Sequence, residues 1–318
     1  MTPRMMGEPH DRNIPSEAEE QQKRMTRARK RTPADEVTGQ ESFRVVCLGR
    51  GNIGQTFATA WRLAGMSVQA RDGRATFGKP KAADAIVIAV PDRAIEEVAK
   101  AIAARGKPPC PVLHTAGSRG LEPLAVLRSL GVPVGVMHPM ISAPVPLAPR
   151  DLDGACMVLF GDEAAMRAGS CLAVGAGMRP VRVRKLEPAR YHLGASLLAN
   201  GAAALAWRAE GLLVEAGVDR AKASEMLSVL LMSVARNISR VGAARALSGP
   251  VRRGDMRTVQ QHLDLIRQGD QATRQVYEAL TALQLSLVGT APVGSATPAD
   301  STHLEDLVLQ HLLAADAR

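Results

Sequence analysis

Two groups of residues in this chain have types and spacings suited to chemistry. The first is Gly49, Gly51 and Gly54, a Gly-x-Gly-x-x-Gly turn that follows the apolar run Phe-Arg-Val-Val-Cys-Leu at 43–48. In such a turn the first glycine allows a tight bend and the second leaves room for a pyrophosphate against the backbone. The third lets the next helix pack closely on the strand. The N–H groups of that helix, with Asn52 and Ile53 in its first turn, would point at the phosphates of a dinucleotide. The second group lies on an Ala-, Leu- and Gly-rich stretch, where His192, Ser196 and Asn200 recur at i, i+4 and i+8 beside Tyr191. Helical periodicity puts those three on one line. They could serve a substrate and a nicotinamide, or bond to one another and to backbone and merely fix an interface.

Further candidates sit where strands are expected to end, which in an open α/β sheet is where ligands bind. The run 67–71 (SVQAR) closes on Arg71, with Arg74 three residues on. An acidic residue there would favour NAD by bonding the ribose hydroxyls, whereas arginine pairs with the extra phosphate of NADP. Asp72 complicates the choice, and the alternative is two solvated arginines on a loop. Val90 and Pro91 end another strand, and His114 and Thr115 a third, so these are expected on the cofactor side as packing. His138 closes the strand 132–137 before Pro139, where an imidazole could donate to a carbonyl or imine, hold a carboxylate, or simply stabilise the turn. In the glycine-rich stretch 246–255, Arg253 could clamp an anionic substrate or form a surface salt bridge.

The elements that must carry these residues alternate. Strands are expected at 43–48, 67–71, 84–90, 111–115, 132–137 and 155–160, and helices at 52–64, 92–104 and 120–130, followed by one more helix and strand by 185. This order implies a doubly wound parallel sheet. The connection at 72–83 has too much Gly, Pro and Lys for a good helix. From 188 onward the sequence reads as helical, with a long helix at 188–216 that is apolar nearly all round and so expected in a packed interior. Asp219, Asp255 and Asp270 stand as caps for three more helices, and 246–255 reads as a loop. The expected organisation is a disordered tail at 1–42, a nucleotide-binding domain at 43–187, a helical dimerisation and substrate domain at 188–288, and a linker with a short helix at 289–318. That last helix would open on the capping box Thr302-x-x-Glu305.

Composition narrows the function. The net charge is +9, yet residues 1–42 hold eight basic and eight acidic residues, so the surplus lies in the folded body. With aromatics at 3% there is little to stack on bases, which argues against nucleic acid, while a basic surface suits phosphorylated cofactors and anionic substrates. Four scattered cysteines without C-x-x-C spacing argue against a metal site or a disulfide framework. The absence of an 18-residue apolar run and of a secretion signal leads us to expect a soluble cytoplasmic protein.

The strings VPD at 90–92, HPM at 138–140, YHLGASLLAN at 191–200 and LSGPVRRGDMRTVQQHL at 247–263 carry a resemblance. Over residues 43–288 the chain resembles the proteins that join a Rossmann-like domain to domain of unknown function 2520. That family is grouped with NADP-linked oxidoreductases related to pyrroline-5-carboxylate reductase and the 6-phosphogluconate dehydrogenase superfamily. The resemblance implies an NADP-type Rossmann domain, a helical dimerising domain and a reductase activity without naming its substrate. The reading we take from the residues is an NADPH-linked reductase of a C=N or C=O group in a small anionic substrate, acting as a homodimer. It carries Gly49, Gly51 and Gly54 to the cofactor, and His138, Tyr191, His192 and Asn200 to a cleft. Gly249, Pro250, Arg253, Gly254 and Asp255 match in the helical domain. One departure matters: the wider superfamily's hydroxyacid dehydrogenases place a catalytic Lys four residues before the Asn, and here that position is Ser196. Lysine-assisted alcohol oxidation is therefore not expected, and a nucleotide-binding sensor without turnover stands as the alternative.

Overall fold

The computed structural model describes residues 42–73, 83–267 and 269–290. The expectations for the tail, for Arg74, for most of the 72–83 connection and for the capping box at 302 fall outside them. The chain divides into two compact units, with the division between His192 and Leu193.

The first unit is built on a seven-stranded sheet. Its strands are β1 (Arg44–Leu48), β2 (Ser67–Arg71), β3 (Ala85–Ile88), β4 (Val112–His114), β5 (Val134–Pro139), β6 (Cys156–Gly161) and β7 (Arg179–Arg182). They lie in the order β2-β1-β3-β4-β5-β6-β7. Side chains alternate across a strand, so each central strand serves both faces of the sheet. On β1, Val45 and Cys47 join a core with Phe57 and Trp61, whereas Val46 and Leu48 join one with Ile95 and Val98. The first core is covered by α1 (Asn52–Leu63) and α4 (Glu163–Gly175). The second is covered by α2 (Ile95–Ala103) and α3 (Ala125–Ser129). Trp61 binds the two helices of the first face together, stacking on Phe57 at 5.2 Å and donating its indole N–H to the Leu172 carbonyl at 2.8 Å.

The sheet is not wholly parallel, contrary to the sequence expectation. β6 runs antiparallel to β5, with Pro139 opposite Met157 and Gly135 opposite Gly161. The reason lies in the connection. A parallel neighbour needs a crossover that carries the chain back to the other end of the sheet. The segment between β5 and β6 has instead a 3-10 turn at Pro149–Leu152. The Met140 N–H donates to the Cys156 carbonyl at 2.8 Å, so the chain re-enters beside the point where it left. After α4 the parallel sense returns, β7 pairing with β6.

The second unit is helical. The long helix α5 (Pro188–Glu215) begins in the first unit and continues into the second, where α6 (Arg220–Val241), α7 (Ala243–Ala246), α8 (Pro250–Arg253), α9 (Met256–Arg267) and α10 (Gln271–Thr290) follow. All three aspartate caps form. Asp219 accepts from the N–H groups of Ala221 and Lys222, Asp255 from Thr258 and Asp270 from Thr273. The stretch 246–255 contains the short helix α8 rather than an open loop. Pro250 starts it, and Gly249 and Gly254 bound it at positive φ, so the punctuating residues frame a helical turn. A second correction concerns α5: none of its residues is buried, although its composition reads as an interior helix.

The glycine turn generates a test of the first unit. Gly49 has φ +130°, and a Cβ there would fall 2.0 Å from the Ala89 carbonyl oxygen, a backbone atom that cannot rotate away. A Cβ on Gly51 would meet nothing within 4 Å. Gly49→Ala should lower stability by roughly 2–4 kcal/mol, as expected for combined strain and overlap. Gly51→Ala should leave it nearly unchanged. Equal denaturant midpoints for Gly49→Ala and the wild type would refute the packing argument.

Candidate functional site

The site grows from the turn between β1 and α1. Gly49 is fastened on both sides: its N–H donates to the Arg71 carbonyl at 2.9 Å, while the Ala89 N–H donates to Leu48 at 2.7 Å. Gly54 is equally committed, since a Cβ there would lie 2.3 Å from the Gly49 carbonyl oxygen. Gly51 alone of the three opens onto free space. It is also the N-cap of α1, which has no side-chain cap and no acidic residue in its first turn. A helix start left uncapped, with open backbone before it, fits a phosphate group.

Two clefts meet at this turn and share Gly51, Ala89, Val90 and Pro91 as a common lip. One, of about 620 Å³, runs between the glycine turn, Asp72 and Gly73 after β2, and the exposed side of α2. Its charged lining comprises Arg50, Arg93 and Arg105 together with Asp72 and Glu97. The other, of about 370 Å³, reaches past Asn52, Ile53 and Thr115 to His138 and His192. Its roof is tied down by Asn52, whose amide donates to the carbonyls of Ala143 and Pro144 at 3.1 and 2.8 Å. Nearby, the Leu147 N–H donates to Thr56 Oγ1 at 2.9 Å.

The two strand-end histidines have opposite environments. His114 is fully buried and bonded on both sides by backbone, with Nδ1 accepting from the Ala116 N–H and Nε2 2.6 Å from the Gly120 carbonyl oxygen. Nothing of it is left for a ligand. His138 lies half-buried over Gly117, where a Cβ would come within 2.8 Å of its ring. Its Nδ1 is 2.6 Å from the Tyr191 hydroxyl. The His192 ring follows at 6.3 Å between centroids. Burial pushes the His138 imidazole down to about 4, and His192 and His114 add to the shift while Asp92 opposes it. The ring is therefore neutral at pH 7. Burial also raises the Tyr191 phenol to about 12.

The residues singled out from the sequence divide accordingly. Gly49, Gly51, Asn52, Ile53, Val90, Pro91, Thr115, His138 and His192 line the two clefts, and Gly54 packs the turn. Arg71 does not line them; its guanidinium donates to Gln69 Oε1 at 3.1 Å. Tyr191 is held against His138. Ser196 and Asn200 belong to the second unit, where the Asn200 amide donates to Ser196 Oγ at 2.9 Å and Asn200 is exposed. The polar line on the helix is thus real as a bonded pair, but Asn200 is not the buried group that the composition of α5 suggested. Arg253 is exposed on α8. Sequence reasoning missed Arg50, Arg93, Arg105 and Gly117. Arg50 was legible as the variable residue inside the glycine turn, and Gly117 as the glycine just beyond β4. Arg105 had no signal, because its place in the cleft depends on how α2 packs. Among the described residues no group of three or more His, Cys, Asp and Glu could hold a metal ion, and no helix is long and apolar enough to cross a membrane.

Residues 155–283 match the family described as "Domain of unknown function (DUF2520)". No curated protein matches the chain. Among solved structures it is similar to a protein of Thermotoga maritima, with 20% identity and a TM-score of 0.59 over 77% of this chain and 98% of that one. It is also similar to a Bacteroides fragilis protein named "putative NADP oxidoreductase", with 19% identity and a TM-score of 0.60 over 76% of this chain and 98% of that one. A third is a reductive aminase of Aspergillus terreus in complex with NADPH and ethyl levulinate, with 17% identity and a TM-score of 0.53 over 84% and 99% of the two chains. These likenesses establish the fold as a Rossmann-like sheet followed by a helical region.

The depressed His138 pKa gives stability a pH dependence of definite sign. The unfolded chain binds a proton at about 6.5 and the folded one at about 4, so the unfolded state takes up more protons between those values. Stability should be fully present above about pH 6.5 and fall as pH drops toward 4, by on the order of 2–3 kcal/mol from this residue. Buried His114, shifted the same way, adds to the slope. Unfolding titrations should show a shallower acid loss in His138→Gln than in the wild type; identical slopes would exclude His138 as a contributor.

Proposed function

We propose that the chain is an NADP-dependent oxidoreductase, and specifically an NADPH-linked reductase of a C=N or C=O group in a small anionic substrate. The observation that carries this reading is the continuity of the two clefts across Gly51, Val90 and Pro91. An extended ligand with phosphates at its middle would lie with those phosphates at the uncapped start of α1, one end at the arginines and the other beside His138 and His192. The shape and polarity match a dinucleotide. The chemistry supplied by bound NADPH is hydride donation from the nicotinamide C4. The part left to the chain is to orient the acceptor, exclude water and offer a hydrogen bond to the acceptor atom, for which His138 and His192 stand nearest. The likeness in fold to proteins whose names include NADP or NADPH agrees with this reading.

The preference for NADP rests on Arg50, Arg93 and Arg105 in the larger cleft, with Asp72 and Glu97 opposing them. A charge-assisted contact to the extra phosphate is worth roughly 1.5–3 kcal/mol. Calorimetric titration should therefore show NADPH binding more tightly than NADH. Arg50→Ala or Arg93→Ala should weaken NADPH by about 10- to 100-fold while leaving NADH nearly unchanged. Equal affinities for the two nucleotides would defeat the specificity. The reductase assignment itself is tested by incubating the purified protein with NADPH and a panel of imines and oxo acids and following loss of the reduced-nicotinamide absorbance. Binding without turnover across the whole panel would favour a nucleotide sensor instead.

We also propose a homodimer formed by the helical unit. Along α5 and α6 large apolar side chains stand in solvent, among them Leu198 at 73% and Trp207 at 75% exposure, with Leu193, Leu197, Leu230 and Met232. Apolar faces of this extent are characteristic of association surfaces. Sedimentation at low micromolar concentration should give twice the chain mass of 33.7 kDa, and Trp207→Glu with Leu198→Glu should give a monomer. A wild-type monomer under those conditions would refute the proposal.

A further inference from the structure

In the pair formed by Tyr191 and His138, the position of a single proton decides what the smaller cleft meets. The Tyr191 hydroxyl lies 2.6 Å from His138 Nδ1 and 2.9 Å from Met140 Sδ. It has one proton and can donate to only one of them. An imidazole nitrogen is a far better acceptor than a thioether sulfur. If the hydroxyl donates to Nδ1, the neutral ring must carry its own proton on Nε2. The converse arrangement would have Nδ1–H donate to the phenol oxygen and would send the hydroxyl proton to sulfur. That exchanges a strong O–H···N bond for a weak O–H···S contact, and it leaves Nε2 as a bare acceptor. Both groups stay neutral over the relevant range, with the phenol at about 12 and the imidazole at about 4.

Gly117 lies against one side of the His138 ring, Tyr191 meets it edge-on at 86°, and His192 stands beyond. The charged or titratable groups that act on His138 are His192, Asp92 and His114, and of these His114 is already bound by backbone at both nitrogens. His138 Nε2 makes no hydrogen bond among the described residues, and the side chain lines the cleft.

We propose that Tyr191 is a positioning residue that holds His138 as its Nε2–H tautomer, so that the cleft presents a fixed hydrogen-bond donor to its ligand. Resting on the reductase reading, the ligand atom it suits is a carbonyl oxygen or a neutral imine nitrogen. A carbonyl accepts such a bond more strongly as charge develops on it, and a donor already fixed in place needs no rearrangement. Tyr191 then acts through His138 rather than on the substrate.

The tautomer can be read directly, without any ligand, by two-bond proton–nitrogen correlation NMR on the full chain labelled with 15N-histidine, near pH 7. His138→Gln identifies the His138 signals. The wild type should show the Nε2–H form alone. Met140→Leu should keep it, because sulfur is not the acceptor, and Tyr191→Phe should give a mixture of tautomers. An Nδ1–H or mixed ring in the wild type would overturn the proposal, as would a Tyr191→Phe spectrum identical to the wild type. Should Tyr191→Phe not fold, the wild-type spectrum still decides. NADPH titration of the same wild-type sample separates the two readings: absent binding removes the oxidoreductase assignment and leaves the tautomer result standing.

Discussion

The close approach of Gly49 to the carbonyl of Ala89 is the contact on which the arrangement of the site depends. It presses the end of β1 against the end of β3, and the bond from Gly49 to Arg71 ties the same turn to β2. Three strand ends are thereby fixed around one residue without a side chain. Gly54 extends the constraint to α1, whose first turn can approach only because that position too lacks a Cβ. The helix start is thus set over the carboxyl ends of the strands by backbone packing. Gly51 is left as the one glycine of the turn with nothing in front of it. The same constraint that stabilises the turn creates the opening.

The histidines show how one sheet assigns different tasks to one residue type. His114 ends β4 and spends both nitrogens on the turn that follows, so its burial is satisfied and its role is to shape backbone. His138 lies on the neighbouring strand β5, two residues beyond the Val136 that faces His114, over Gly117, and bonds to a side chain on a different element. A backbone-satisfied histidine is fixed by its own loop. One satisfied by a tyrosine depends on the start of α5 lying where it does, and its side chain lines a cleft.

The helical unit obeys a different logic. Its caps are local and strong, but its buried core is small, with Val251, Val259, Leu263, Ile266 and Leu285 at its centre. The long helices α5 and α6 hold a single buried residue, Ala223. Helices of this length draw most of their stability from packing an apolar face. Among the described residues that face is largely bare, which is the physical basis for proposing self-association.

What the sequence determined by itself was whatever short-range chemistry controls. The glycine spacing at 49–54 prescribes a turn of one geometry, and the alternation of side-chain direction along a strand places Val45 and Val46 on opposite sheet faces. Asp219, Asp255 and Asp270 start helices because their carboxylates reach N–H groups two or three residues on. The strand-end positions of His138, Val90 and Thr115 followed from the same reading. Tertiary structure decided what depends on partners distant in sequence. The antiparallel entry of β6 was set by where a helix-poor connection could bring the chain back. Arg105, rather than Arg71, lines the larger cleft because of how α2 packs on the sheet. The exposure of α5 could not be read from composition, since an apolar helix looks the same whether its cover comes from its own chain or from another. Nor could the pairing of His138 with Tyr191, 53 positions apart, because no periodicity links a strand end to the start of a helix.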